Sequence, residues 1–94
     1  MITIRELLAE HDEELLLMDG FDDCIIGICE SFGGESVVAY DYDRVIASLE
    51  SQGMTYEEAV EYHEFNQLGA YVGERTPVFI VRVENPSSKP KSSI

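Results

Sequence analysis

The side chains best able to do chemistry lie in MTYEEAVEYHEFNQLGAYVGERTP, residues 54 to 77. Glu57, Glu61 and Glu64 recur at i, i+4 and i+7, so a helix there sets them on one face with Glu58 close beside them. Such a row repels itself unless solvent, a metal or a basic partner meets it. A second acidic cluster, Asp12, Glu13 and Glu14, lies nearer the amino terminus. Three kinds of chemistry are open to these groups: a solvated outer helix face, capture of Arg and Lys that would otherwise hold phosphates, or metal coordination.

Spacing argues against the metal. His63 lacks both the His-Glu-x-x-His and the Glu-x-x-His patterns, because Val60 stands three residues before it and Asn66 and Gln67 follow it. Asp19, Asp22 and Asp23, or Asp41 and Asp43, offer oxygens for calcium, yet neither set forms the twelve-residue calcium loop. They read instead as a turn and a helix cap. Cys24 or Cys29 with His11 or His63 makes a nucleophile and base on paper only. No Gly-x-Ser-x-Gly elbow, phosphate-cradling loop or dinucleotide fingerprint is present, and nothing marks Glu57 or Glu61 as a buried acid or base. The expectation is a protein without catalytic residues, metal or cofactor. Tyr62, Phe65, Asn66 and Tyr71 could line a partner or ligand pocket, but the simpler reading makes Phe65 and Tyr71 core and bonds Asn66 to nearby backbone. Arg75 and Arg82 read as counterweights to neighbouring acid.

These groups need elements to hold them. Thr3 with Glu6, and Thr55 with Glu58, have the capping-box spacing. They predict a helix from about Ile4 to Glu10 and a longer one carrying Ala59, Val60, Tyr62, Phe65 and Leu68 towards Gly69 and Gly73. The outer acids of the long helix then oppose a packed face of Ala59, Val60 and Leu68. Leu15 to Met18 either prolongs the first helix or docks separately, before Asp19-Gly20. Asp41 or Asp43 caps a helix with Val45, Ile46 and Leu49 on one face, ending at Gly53. The runs at 24–29, 37–40 and 78–83 have strand length and composition, with Gly33-Gly34 turning between the first two. A helix from Asp22 to Phe32 is the rival reading of the first run. The sum is an α+β domain: a small three-stranded antiparallel sheet packed against two or three helices.

Length and charge set the outer limits. The chain has 94 residues, 45% hydrophobic, with 6 Lys plus Arg against 19 Asp plus Glu and a net charge of -13. That suits one globular domain, expected over residues 1–84, and a flexible polar tail over 85–94. It argues against direct binding to nucleic acid or to an anionic membrane, since both require clustered Lys and Arg. Eight acids fall within residues 1–24. The acidic start lacks the form of a secretory signal, and no apolar run approaches the roughly 20 residues that span a bilayer, so a cytoplasmic protein is expected. Cys24 and Cys29, five apart, point to opposite faces of a strand and read as two buried thiols rather than a disulfide.

Three stretches, GFDDCIIGI, VVAYDYDRVI and above all MTYEEAVEYHEFNQLGAYVGERTPVFI, resemble small acidic proteins encoded by tailed bacteriophages and prophages. They extend over residues 20–80, about two thirds of the chain, leaving out the amino-terminal residues and the basic tail. The resemblance implies a phage origin, hence the cytoplasm of a bacterial host, and carries no established activity. His63 stands where relatives are expected to hold an aromatic, which speaks against a required metal or catalytic role.

The expected function is therefore that of a binder. It would inhibit a host nucleic-acid-handling or defence complex by occupying a basic surface with Glu57, Glu58, Glu61, Glu64, Asp12, Glu13 and Glu14 as a nucleic-acid mimic. The alternative is a non-enzymatic oligomeric structural or assembly module, with a homodimer among its forms, that associates through the apolar Leu15 to Met18 segment.

Overall fold

The computed structural model describes residues 1–68 and 73–88. Expectations for Gly69, Tyr71 and residues 89–94 of the tail lie outside that range. Helix α1 spans Ile4–His11, and its capping box is complete: the Glu6 amide donates to the Thr3 hydroxyl at 3.2 Å, and the Thr3 amide to the Glu6 carboxylate at 3.0 Å. Such a cap is worth about 1 kcal/mol. Asp12 then stops the helix in extended backbone, its carboxylate accepting from the Glu14 amide at 2.9 Å. Leu15 to Met18 accordingly docks separately, with Leu15 buried in the core.

Strand β1 is Ile25–Cys29 and β2 is Val37–Asp41, so the strand reading of the 24–29 run holds and the helical rival does not. They form an antiparallel hairpin pairing Ile25 with Tyr40 and Cys29 with Val37, interrupted by an irregularity between Ile25 and Gly27. In the connection Gly33 sits at φ 75°, where an L side chain would be strained. Helix α2, Tyr42–Ser51, follows β2 directly and buries Val45, Ile46 and Leu49. Helix α3, Tyr56–His63, begins at the second complete capping box, where the Thr55 amide donates to Glu58 at 2.8 Å. It widens into a π-helical turn over Glu64–Leu68 before strand β3, Val78–Ile80.

The α+β class and the three-stranded sheet on helices are as expected, but β3 runs parallel to β2, pairing Ala39 with Val78 and Asp41 with Ile80. A parallel neighbour requires a crossover connection, and α2 with α3 supplies it. As the middle strand β2 is buried along its whole length, as strands with parallel partners usually are. Tyr40, Leu49, Val38 and Val45 are the largest fully buried side chains, and they join α2 to the helical face of the sheet. Among the described residues no helix is long and apolar enough to cross a membrane.

Tyr40 shows how the core reaches the loop. Its hydroxyl accepts a hydrogen bond from the Met18 amide at 2.7 Å, tying the Leu15 to Met18 segment to the middle strand. Burial pushes the Tyr40 phenol up from its ordinary value, while that hydrogen bond opposes the shift. Tyr40→Phe keeps the packed ring and orphans the half-buried amide, an expected loss of about 1–3 kcal/mol. Urea unfolding measures the loss. Hydrogen exchange should show it concentrated at Met18, and unchanged exchange there would disprove the tie.

Candidate partner-binding surface

The four arginines sort the acids into two groups. Arg75 pairs with Asp12, with Glu35 at 2.8 Å and, at 4.0 Å, with Glu14, and it donates to the Ser36 carbonyl at 3.2 Å. It thereby joins the end of α1, the hairpin loop and the approach to β3. Arg75's hydrogen bond holds the Asp12 carboxyl below its ordinary value. Arg5 does the same for Asp22, at 2.8 Å, and reaches Asp19 at 3.4 Å. Arg82 and Arg44 contact one oxygen of the buried Asp41 at 2.9 and 3.5 Å, and Asp41 stands at the cap position of α2 without its side chain bonding the helix amides. The other Asp41 oxygen is buried and has no hydrogen-bond partner.

No described cation is paired with Glu57, Glu61 or Glu64, and all three are exposed. Glu58 is exposed as well, though its carboxylate closes the α3 capping box. The row from Glu57 to Glu64 runs for about 10 Å at the helical rise of 1.5 Å per residue. Tyr56, Tyr62 and Phe65 are interleaved with it and exposed by 59, 40 and 77%. Phe65 is therefore not core, and Leu68 is exposed rather than packed. The inward stripe is instead Ala59, His63 and Gln67, spaced by four. His63 is 2% exposed, meets Tyr42 and Phe79 edge to face at centroid distances of 5.2 and 4.5 Å, and shares a 2.8 Å hydrogen bond between its Nδ1 and Gln67 Oε1. Asn66 donates to the Tyr62 carbonyl at 3.2 Å, the backbone role expected of it.

The π-helical turn also shapes a groove that the residue pattern did not reveal. A cavity of about 390 Å³ is lined by Leu16, Leu17, Met18, Asn66, Gln67, Thr76, Pro77 and Phe79. Asn66 also borders a hollow of about 320 Å³ formed with Met54, Glu58, Glu61, Tyr62 and Phe65. Of these lining residues, Leu16 to Met18, Tyr62, Phe65, Asn66 and the acids carried a binding or docking signal in the sequence, whereas Pro77 and Phe79 read only as part of a strand.

The described residues contain no group of three or more His, Cys, Asp or Glu placed to hold a metal ion. Cys24 is buried and Cys29 exposed, both as free thiols, so the expectation of two buried thiols fails at Cys29. The cause is position: β1 is an edge strand and Cys29 is its last residue. Burial pushes the Cys24 thiol above its ordinary value. Iodoacetamide at mildly alkaline pH should label Cys29 rapidly and Cys24 only on unfolding, as intact-mass spectra with and without urea will show. Equal labelling of both in the native protein would contradict the burial.

No protein-family model, curated protein or solved structure matches this chain.

Proposed function

We propose that this is a phage-type accessory protein that binds and inhibits a host nucleic-acid-handling or defence complex, its carboxylates meeting a basic surface in place of phosphates. One observation carries the reading: the described arginines engage other acids and leave Glu57, Glu61 and Glu64 unneutralised among exposed aromatic rings. Carboxylates steer a basic partner over distance, and aromatic side chains supply the contact energy that charge alone lacks. Asp12 and Glu14 contribute less to this field than Glu13, because Arg75 holds them. Of the seven expected acids, Glu13 and the row on α3 are therefore the ones the arginines leave unpaired.

Capture from a bacterial lysate tests the proposal. The wild-type protein should retain basic nucleic-acid-handling proteins at low salt and release them as screening rises. The triple variant E57Q/E61Q/E64Q should retain at least about tenfold less, the equivalent of about 1.4 kcal/mol. Capture that survives the triple variant and high salt would refute it. A second reading, a homo-oligomeric assembly module, draws on Leu16 to Met18 lining an open apolar groove. Sedimentation at two salt concentrations separates it, since apolar self-association persists when charges are screened.

A further inference from the structure

We infer that the apolar groove and the acidic hollows beside α3 form one continuous track for a basic amphipathic segment of a partner protein. The inference rests on the proposed basic partner and specifies how that partner is recognised. Asn66 borders both the groove and the hollow containing Glu61 and Tyr62. Glu61 in turn borders a further hollow of about 270 Å³ with Tyr56, Glu57, Val60 and Glu64. Three adjoining depressions therefore share walls, and a compact molecule fills one of them where a chain segment follows all three.

Polarity along the track defines the occupant. The groove is walled by Leu16, Leu17, Met18, Pro77 and Phe79, with amides and one hydroxyl but no charged side chain among the described residues. A charged group placed there loses hydration without gaining a counter-ion. Beyond Asn66 the surface turns acidic. Glu58 already accepts from the Thr55 amide, which leaves Glu61 to receive a cation, flanked by the Tyr62 and Phe65 rings. Apolar side chains at one end and Lys or Arg at the other match this order, as in an amphipathic segment laid into a groove. The groove's two walls are each held from behind. Met18 is tied to Tyr40, and Gln67 is fixed by His63, whose ring also abuts Phe79.

The test is fluorescence anisotropy with a labelled synthetic peptide of Leu and Lys patterned as an amphipathic helix. A scrambled peptide of the same composition and a Lys-only peptide are the controls. The patterned peptide should bind at physiological salt and the controls far less. Leu16→Asp and Phe65→Ser, both at exposed positions, should each weaken it about tenfold, and Glu61→Gln severalfold with a reduced salt dependence. Circular dichroism of each variant confirms that it is folded, and the second site serves if the first variant is not. Equal binding of patterned and scrambled peptides, indifference to all three substitutions, or equally tight binding of a peptide with acetylated lysines would overturn the inference. So would complete displacement by a small alkylamine of equal affinity, which marks a compact-ligand pocket. If E57Q/E61Q/E64Q abolishes lysate capture while L16D and F65S leave it intact, the acidic-surface proposal stands and the track falls. Peptide binding that depends on Leu16 and Glu61 while lysate capture ignores the acids gives the reverse.

Discussion

Replacing Arg44 and Arg82 together by Ala should destabilise the fold by about 3–5 kcal/mol, the loss expected when a buried charge is stripped of its partners. Asp41 is 3% exposed, Arg82 and Arg44 both approach its Oδ2, and its Oδ1 has no hydrogen-bond partner. The two guanidinium groups are more than half exposed, so their own desolvation is small and water screens part of the attraction. The cost therefore comes from the carboxylate. Arg82→Ala alone, removing the 2.9 Å contact, should cost more than Arg44→Ala, which removes the 3.5 Å contact. Adding Asp41→Asn to the double variant should recover most of the stability, because a neutral amide is far cheaper to bury than an unpaired charge. Urea unfolding at neutral pH measures all four proteins. A loss below about 1 kcal/mol in the double variant would show that water reaches Asp41 when the arginines leave.

The burial of that charge was not legible in the residue pattern, and the reason is topological. Asp41 reads as a cap from its place before an apolar helix, and it does occupy the cap position. Its side chain is buried because β2 is the middle strand and Ile80 of β3 pairs beside it. No local rule announces which strand is central or which way β3 runs. Helix starts, by contrast, were fully legible. In Thr3 with Glu6 and Thr55 with Glu58, each side chain satisfies the other residue's amide, so the signal lies within four consecutive residues. The acidic row of α3 was legible for the same reason. The groove was not, because its walls come from an irregular loop, a π-helical turn and a short strand. The apolar positions Phe65 and Leu68 suggested that an inward stripe continued beyond His63, whereas the chain widens there and turns both outward.

His63 is where that misreading has the largest energetic consequence. Expected on a helix beside acids and discounted as a ligand, it is the most buried polar residue of the described chain. It remains there because its ring fills the space between Tyr42 and Phe79 and its Nδ1 is satisfied by Gln67. His63→Ala removes the ring contacts and the Gln67 bond together, and should cost about 2–5 kcal/mol, the range for emptying a comparable core site. His63→Phe keeps an aromatic ring between Tyr42 and Phe79 and preserves the edge contacts. It leaves the half-buried Gln67 carbonyl without its partner, at a cost of about 1–2 kcal/mol. Thermal melts should therefore rank wild type above His63→Phe and His63→Phe above His63→Ala. Each kcal/mol corresponds to about 4–8 °C in a domain of this size. The two variants also separate filling from anchoring. If the ring acts only as filler, His63→Phe matches wild type in both melting and peptide affinity. If it also fixes the groove wall through Gln67, His63→Phe stays folded yet binds the patterned peptide more weakly, a loss of binding that packing alone does not produce.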